Sequence, residues 1–241
     1  MNYFTKEWYE LCQKISAHLP LEEDERAESF SEEYFQKLYI QKLAEFLDLW
    51  QGVSEIGHEP YESEKFAKQF EEGFINNQEH LKKMLPEEIL KEIADIRVFA
   101  LNRASRQVIN DVTRFCEENE RSVKKAIKQY NKYYNEALKS FDDNVVKNIH
   151  FHDCIITRLE QTEQSLSILL DNSGGFTDIY EMQLENYKIV KQDSLLENAW
   201  WLYDEIYKMN DRYELHVLLQ NKNGDLIEFT ICAENISFKR S

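Results

Sequence analysis

Apolar positions recur every three or four residues through the first 147 residues and every second residue after that. Phe4, Trp8, Leu11, Cys12, Ile15 and Leu19 form the first helical stripe, with Thr5 placed to cap it and Pro20 to stop it. Ser29-Phe30-Ser31-Glu32 has the capping-box pattern and opens a second helix with the stripe Phe35, Tyr39, Leu43, Phe46, Leu47 and Trp50. Gly52 is expected just past its end, followed by a loop over 53–61 that holds Gly57 and Pro60. A third helix runs through Phe66, Phe70 and Phe74, with a break expected at Gly73. Pro86 opens a fourth, and Glu87 and Glu88 suit its positive end. From Glu87 to Phe141 there is neither Gly nor Pro, so the pattern fits one long helix or two joined near Asn119.

Near Asn144 the rhythm changes to short runs rich in Ile, Val, Thr, Tyr and Phe. Strands are expected near 153–160, 165–170, 177–184, 187–191, 199–208, 212–220, 225–232 and 235–239. Turns at 171–175, 209–211 and 221–224 separate several of them, and connections this short imply antiparallel neighbours. Tyr213, Leu215, Val217 and Leu219 share one face of their strand, with Glu214 and His216 on the other, so the sheet should bury one side and pack its mixed side against something. The expected fold is α+β: an antiparallel helical bundle over 1–147 followed by an antiparallel β-sheet or sandwich domain over 148–241. No internal repeat or low-complexity tract interrupts either part.

Composition supports a folded chain, with 42% hydrophobic and 13% aromatic residues to build a core. Cys12, Cys116, Cys154 and Cys232 are far apart and form no CxxC pair, which fits free thiols in a reducing compartment. With no signal-peptide pattern at Met1–Trp8 and no long apolar run, a cytoplasmic address and no membrane contact are expected. A net charge of −16 disfavours nucleic acid as a partner, since phosphate repels an acidic surface. The basic residues between Arg97 and Lys132 are expected to lie against the acidic N-terminal region within the molecule. A nucleic-acid binder using helix 97–132 is the third functional reading, testable by salt titration.

Two clusters carry candidate chemistry. If 149–154 is extended, His150, His152 and Cys154 align on one face as zinc-type ligands, yet the fourth ligand is missing unless His216 lies adjacent. The second cluster is Trp200-Trp201-Leu202-Tyr203-Asp204-Glu205. Trp200, Trp201, Asp204 and Glu205, with Glu214 and His216, form the expected binding surface, in which aromatic anchors sit among acidic groups. Its complement is a protein partner with a basic surface, and Trp201→Ala is expected to remain folded and lose that partner. The turn at 171–175 lacks the following Lys of a phosphate loop and the carboxylate pattern of a calcium loop. No GxSxG, HExxH or GxGxxG fingerprint occurs, so no cofactor is expected.

Several stretches together carry a family resemblance: YFTKEWYE, LPEEILKEIADIRVFALNRAS and FCEENE, then FHDCIITRLE, DNSGGFTDIYEMQLENYKIV, NAWWLYDEIY, YELHVLLQN and AENISF. They resemble an uncharacterised family of Gram-positive bacteria, domain-of-unknown-function family 4085, over almost the whole chain. The resemblance implies a bacterial cytoplasmic protein and transfers no activity, cofactor or catalytic residue. The C-terminal part is also similar to small β domains of toxin-immunity proteins, which implies a binder. The resulting expectation is a non-enzymatic interaction protein. The alternative is a metal-dependent hydrolase using His150, His152 and Asp153.

Overall fold

The structure, a computed structural model, describes residues 1–58 and 60–241, with the backbone alone of Asp143. The chain forms two compact units, one of Met1–Cys12 with Arg121–Ser241 and one of Gln13–Glu120. The boundary of compactness thus falls at different places from the change in rhythm near Asn144, because one helix belongs partly to each unit.

In the Gln13–Glu120 unit, β1 (Glu22–Glu23) is followed by α2 (Glu32–Gly57), numbered after the short α1 (Lys6–Cys12) of the other unit. Ser31 caps α2 by accepting the Tyr34 N–H. The helix continues through Gly52 to Gly57, past the end expected from the glycine, and stops where His58 takes a left-handed conformation (φ 56°) and donates its N–H to the Ser54 carbonyl. Glu59, within the expected 53–61 loop, lies outside the described residues. α3 (Ser63–Met84) runs unbroken through Gly73. Both glycines sit in helices whose aromatic contacts outweigh a glycine's helix cost of about 1 kcal/mol. Trp50 stacks on Phe66 with ring centres 5.0 Å apart, and Phe46 and Tyr39 each contact Phe70 at 5.3 Å.

The stretch after Pro86 is neither one helix nor two joined at Asn119. It forms α4 (Glu87–Glu92), α5 (Ile96–Ala100), β2 (Arg103–Ala104) and α6 (Arg106–Ala137). The interruptions are made by polar caps rather than Gly or Pro. Asp95 accepts the Arg97 N–H, Asn102 takes φ 65°, and Ser105 accepts the Val108 N–H. Asn119 lies buried inside α6. β2 pairs in parallel with β1, and Arg97, Arg103 and Arg106 form ion pairs with Glu32, Glu22 and Glu23. These arginines lie against the acidic N-terminal residues as the charge pattern leads one to expect.

In the other unit the C-terminal part of α6 leads to α7 (Asp143–Val146) and then to eight strands. These are β3 (Ile155–Gln161), β4 (Ser165–Asp171), β5 (Ile179–Glu185), β6 (Lys188–Gln192), β7 (Trp200–Met209), β8 (Arg212–Gln220), β9 (Leu226–Ala233) and β10 (Asn235–Arg240). They pair antiparallel in the order β10-β5-β4-β3-β7-β8-β9-β6, which establishes the α+β class. Gly224 (φ 89°) supplies the left-handed residue of the β8–β9 turn. One core unites both halves of the sheet: Ile168, Met182 and Leu184 from one side meet Leu215, Val217, Phe229 and Ile231 from the other.

Candidate functional site

The motif Phe151-His152-Asp153-Cys154 is a turn, not the extended segment the ligand reading requires. Asp153 has a left-handed backbone (φ 66°), and β3 begins only at Ile155. Consequently His150 and His152 are exposed while Cys154 is fully buried, and the three do not share a face. His216 lies on β8, which is separated from β3 by β7. Among the described residues no group of three or more His, Cys, Asp or Glu is placed to hold a metal ion.

Backbone pairing locks this turn onto the start of β7. The Asp153 N–H donates to the Trp201 carbonyl at 3.0 Å, and the Trp201 N–H donates to the Cys154 carbonyl at 2.8 Å. His152 Nδ1 donates to the Leu202 carbonyl, and its Nε2 lies 3.7 Å from Asp153 Oδ2. The β4–β5 loop closes over the same turn. Asp171 accepts the Ser173 N–H at 3.0 Å, and Gly175 donates to the Asn172 carbonyl at 3.0 Å. Gly174 and Gly175 are required by close approach. A Cβ on Gly175 would stand 2.5 Å from Cys154 Sγ and 3.1 Å from the His152 carbonyl, and one on Gly174 2.9 Å from the Asp153 carbonyl. Two separate motifs, FHDC and NSGGF, are therefore pressed together by glycine.

Their junction borders a cleft of about 250 Å³. Ile149, Phe151, Phe176, Leu202 and Tyr203 supply its apolar walls, and His150, His152 and Asp204 its polar groups. Phe176, directly after the glycines, is 90% exposed. Tyr203 sits within ring-contact distance of His152 (5.2 Å), Trp8 (4.8 Å) and Tyr9 (6.2 Å), so α1 supports this side. Asp204 Oδ2 accepts a hydrogen bond from Trp201 Nε1 at 2.9 Å. Loss of water pushes its carboxyl up to about 7; the Trp201 hydrogen bond opposes the rise, Glu205 adds to it, and His152 opposes it.

A bulge in β7 decides which residues reach this cleft. Pairing shifts between Trp201, opposite Leu219, and Tyr203, opposite Leu218. Simple alternation would put Trp201, Tyr203 and Glu205 on one face. The bulge instead sends Trp201 into the core, where it is fully buried, and leaves Glu205 on the opposite face, across from His216. Trp201 is thus not a surface anchor, and a Trp201→Ala variant that keeps its fold is not what this burial implies. Trp200 remains partly exposed, at 39%.

Glu205 is fully buried, and its carboxylate accepts the backbone N–H groups of Asn2, Tyr3 and Phe4 at 2.8, 2.8 and 2.6 Å and the Tyr207 hydroxyl at 2.5 Å. Hydrogen bonds to a charged group contribute about 1.5–3 kcal/mol each, so Glu205 fastens the Asn2–Phe4 segment to β7. On the same face Glu214 bonds His216 Nε2 at 2.6 Å and accepts from the Cys232 thiol at 3.3 Å. Burial pushes that thiol up, and Glu214 adds to the rise, which keeps it a poor nucleophile. The expected binding surface therefore divides: Asp204 lines the cleft, whereas Glu205, Glu214 and His216 belong to the face covered by the N-terminal segment.

Phe176 escapes sequence reasoning, whereas Phe151, Leu202 and Tyr203 lie within the two clusters already singled out, without a role of their own. The only local signal is an aromatic directly after a glycine pair. A larger cleft of about 340 Å³ in the Gln13–Glu120 unit is lined mainly by charged groups, including Asp24–Arg26 and Glu22–Arg103, which satisfy one another. Among the described residues no helix is long and apolar enough to cross a membrane.

The sequence profile of a family described as "Protein of unknown function (DUF4085)" matches residues 29–233. That span includes the turn, the glycine loop and β7. No curated protein and no solved structure matches the chain.

Proposed function

The chain belongs to the DUF4085 family of proteins of unknown function, and we propose that it is a bacterial cytoplasmic protein-binding module that docks its partner at the cleft beside Phe176. The observation that carries this reading is Phe176 itself. A large aromatic side chain 90% exposed at the rim of an apolar cleft is costly in water unless a partner covers it. The glycine-packed loop holds it in place before binding, which reduces the ordering cost of association. Four free thiols suit a reducing cytosol. The net charge of −16 favours a basic partner surface and fast encounter with it. A hydrolase built on His150, His152 and Asp153 gains no support from this geometry, since among the described residues no three such groups are placed to hold a metal ion.

The test is site-specific photocrosslinking in the native host, with a photoreactive residue at Phe176 and a control at Tyr180, which is 39% exposed. A discrete adduct from position 176 alone is expected. The purified adduct partner should then bind the wild-type chain at least tenfold more tightly than Phe176→Ala, a substitution at an exposed site that leaves the core intact. Equal binding of the two proteins, or equal adducts from both positions, overturns the reading.

A further inference from the structure

We infer that the cleft beside Phe176 seats a lysine side chain of the partner, with its methylenes along Phe176 and Tyr203 and its ammonium on Asp204. This rests on the protein-docking reading and makes it chemically specific. The cleft has apolar walls and one carboxylate held among them, which is the complement of an aliphatic stem ending in a positive charge. A purely apolar side chain would cover Asp204 and leave its charge with the Trp201 hydrogen bond alone, and burying a carboxylate without an opposite charge is unfavourable. An anionic group would meet the Asp204 carboxylate in the cleft, on a chain of net charge −16.

Lysine fits better than arginine because of what Asp204 has left to offer. Its Oδ2 already accepts from Trp201 Nε1, so a guanidinium fork would have to share that oxygen with the indole. An ammonium is a compact point charge that needs one oxygen, and the rings of Tyr203 and Phe176 at the same cleft add favourable quadrupoles. The bulge at Trp201–Tyr203 is the device that builds the seat. It allows Trp201 to be buried and yet hold, through its indole N–H, the carboxylate three residues further along.

The experiment is an NMR titration of the full-length chain with n-butylammonium, n-butylguanidinium and n-butanol, reading resonances of His152, Phe176 and Tyr203. At pH 8 butylammonium is expected to give saturable shifts at these residues and to bind at least tenfold more tightly than butanol. Asp204→Asn keeps a carbonyl for Trp201 and should weaken the ammonium about tenfold while leaving butanol unchanged. Wild-type protein provides a second arm without any variant. With the Asp204 carboxyl at about 7, its ionised fraction drops about tenfold from pH 8 to pH 6, and affinity should fall with it. Glu205 and His152 act on Asp204, and Tyr130 and Tyr134 of α6 face it as phenols that burial keeps neutral, so the pH arm is repeated in His152→Gln, where the fall should persist. Butanol binding as well as butylammonium, tighter binding of butylguanidinium, or an Asp204→Asn variant of unchanged affinity each overturns the lysine seat. Absence of cleft shifts with every probe overturns it as well. The docking reading is judged separately by crosslinking at position 176, so a lysine seat that fails with crosslinking intact leaves a partner of other chemistry.

Discussion

Replacing Asp204 with asparagine should stabilise the β-containing unit at alkaline pH and change little in acid. The carboxyl moves from its ordinary 3.8 to about 7, chiefly because protein replaces its water. Between those values the folded chain holds a proton that the unfolded chain has lost, so stability falls as pH rises through the window. The stabilising contribution of the protonated form is fully present below about pH 4 and gone above about pH 7. At 1.36 kcal/mol per tenfold step, the shift corresponds to about 4 kcal/mol. Residual exposure at the cleft reduces the expected effect to about 2–4 kcal/mol. Asparagine cannot ionise and still offers Trp201 an acceptor, so it escapes this loss. Urea unfolding followed by tryptophan fluorescence, at intervals between about pH 4.5 and 8.5, measures the difference directly. Carboxylates that do not act on Asp204 titrate alike in both proteins and cancel in the subtraction, which leaves Asp204 and its coupling to Glu205. Parallel stability curves, or a variant that is weaker at pH 8, would show that Asp204 is not held against its own ionisation. A variant more stable and yet deficient in ammonium binding would mean that this charge is kept for binding at the expense of the fold.

Glu205→Gln leaves the Asn2–Phe4 amides with a neutral acceptor and turns an amide group toward them. A loss of about 3 kcal/mol is expected, together with faster hydrogen exchange at Tyr3 and Phe4; unchanged exchange would show that another contact holds this segment. Gly175→Ala places a Cβ 2.5 Å from Cys154 Sγ and should cost about 1–3 kcal/mol in thermal unfolding while weakening butylammonium binding. Gly73→Ala, in the interior of α3 with open space around it, should instead stabilise by about 0.5–1 kcal/mol. If both alanines had the same sign, the close approach at Gly175 would not be what selects its glycine.

The eight strands lie close to where alternation and turn residues put them, because a two-residue period and a short turn are encoded within a few neighbouring positions. The buried face of β8 was legible for the same reason: Tyr213, Leu215, Val217 and Leu219 alternate without a bulge. Helix interruption was less legible. Gly52 and Gly73 suggested ends that tertiary aromatic packing overrides, while Asp95, Asn102 and Ser105 made real ends from residues that are equally at home inside a surface helix.

The chemistry of the site was visible in part. Asp204 and the tandem tryptophans were recognisable as unusual, and His150 to Cys154 as a polar cluster, but their placement was not. One extra residue between Trp201 and Tyr203 moved Trp201 into the core and Glu205 to the far face, a reversal that a strict two-residue period cannot register. Sequence by itself determined the succession of the eight strands, their antiparallel habit and the free thiols, since each follows from nearest neighbours and composition. Tertiary structure alone decided that the NSGGF loop closes on the FHDC turn, that β7 starts beside both, and that Asp204 faces the cleft. Those contacts join residues about 20 to 50 positions apart, whose approach is set by strand order and by a space that only glycine leaves open.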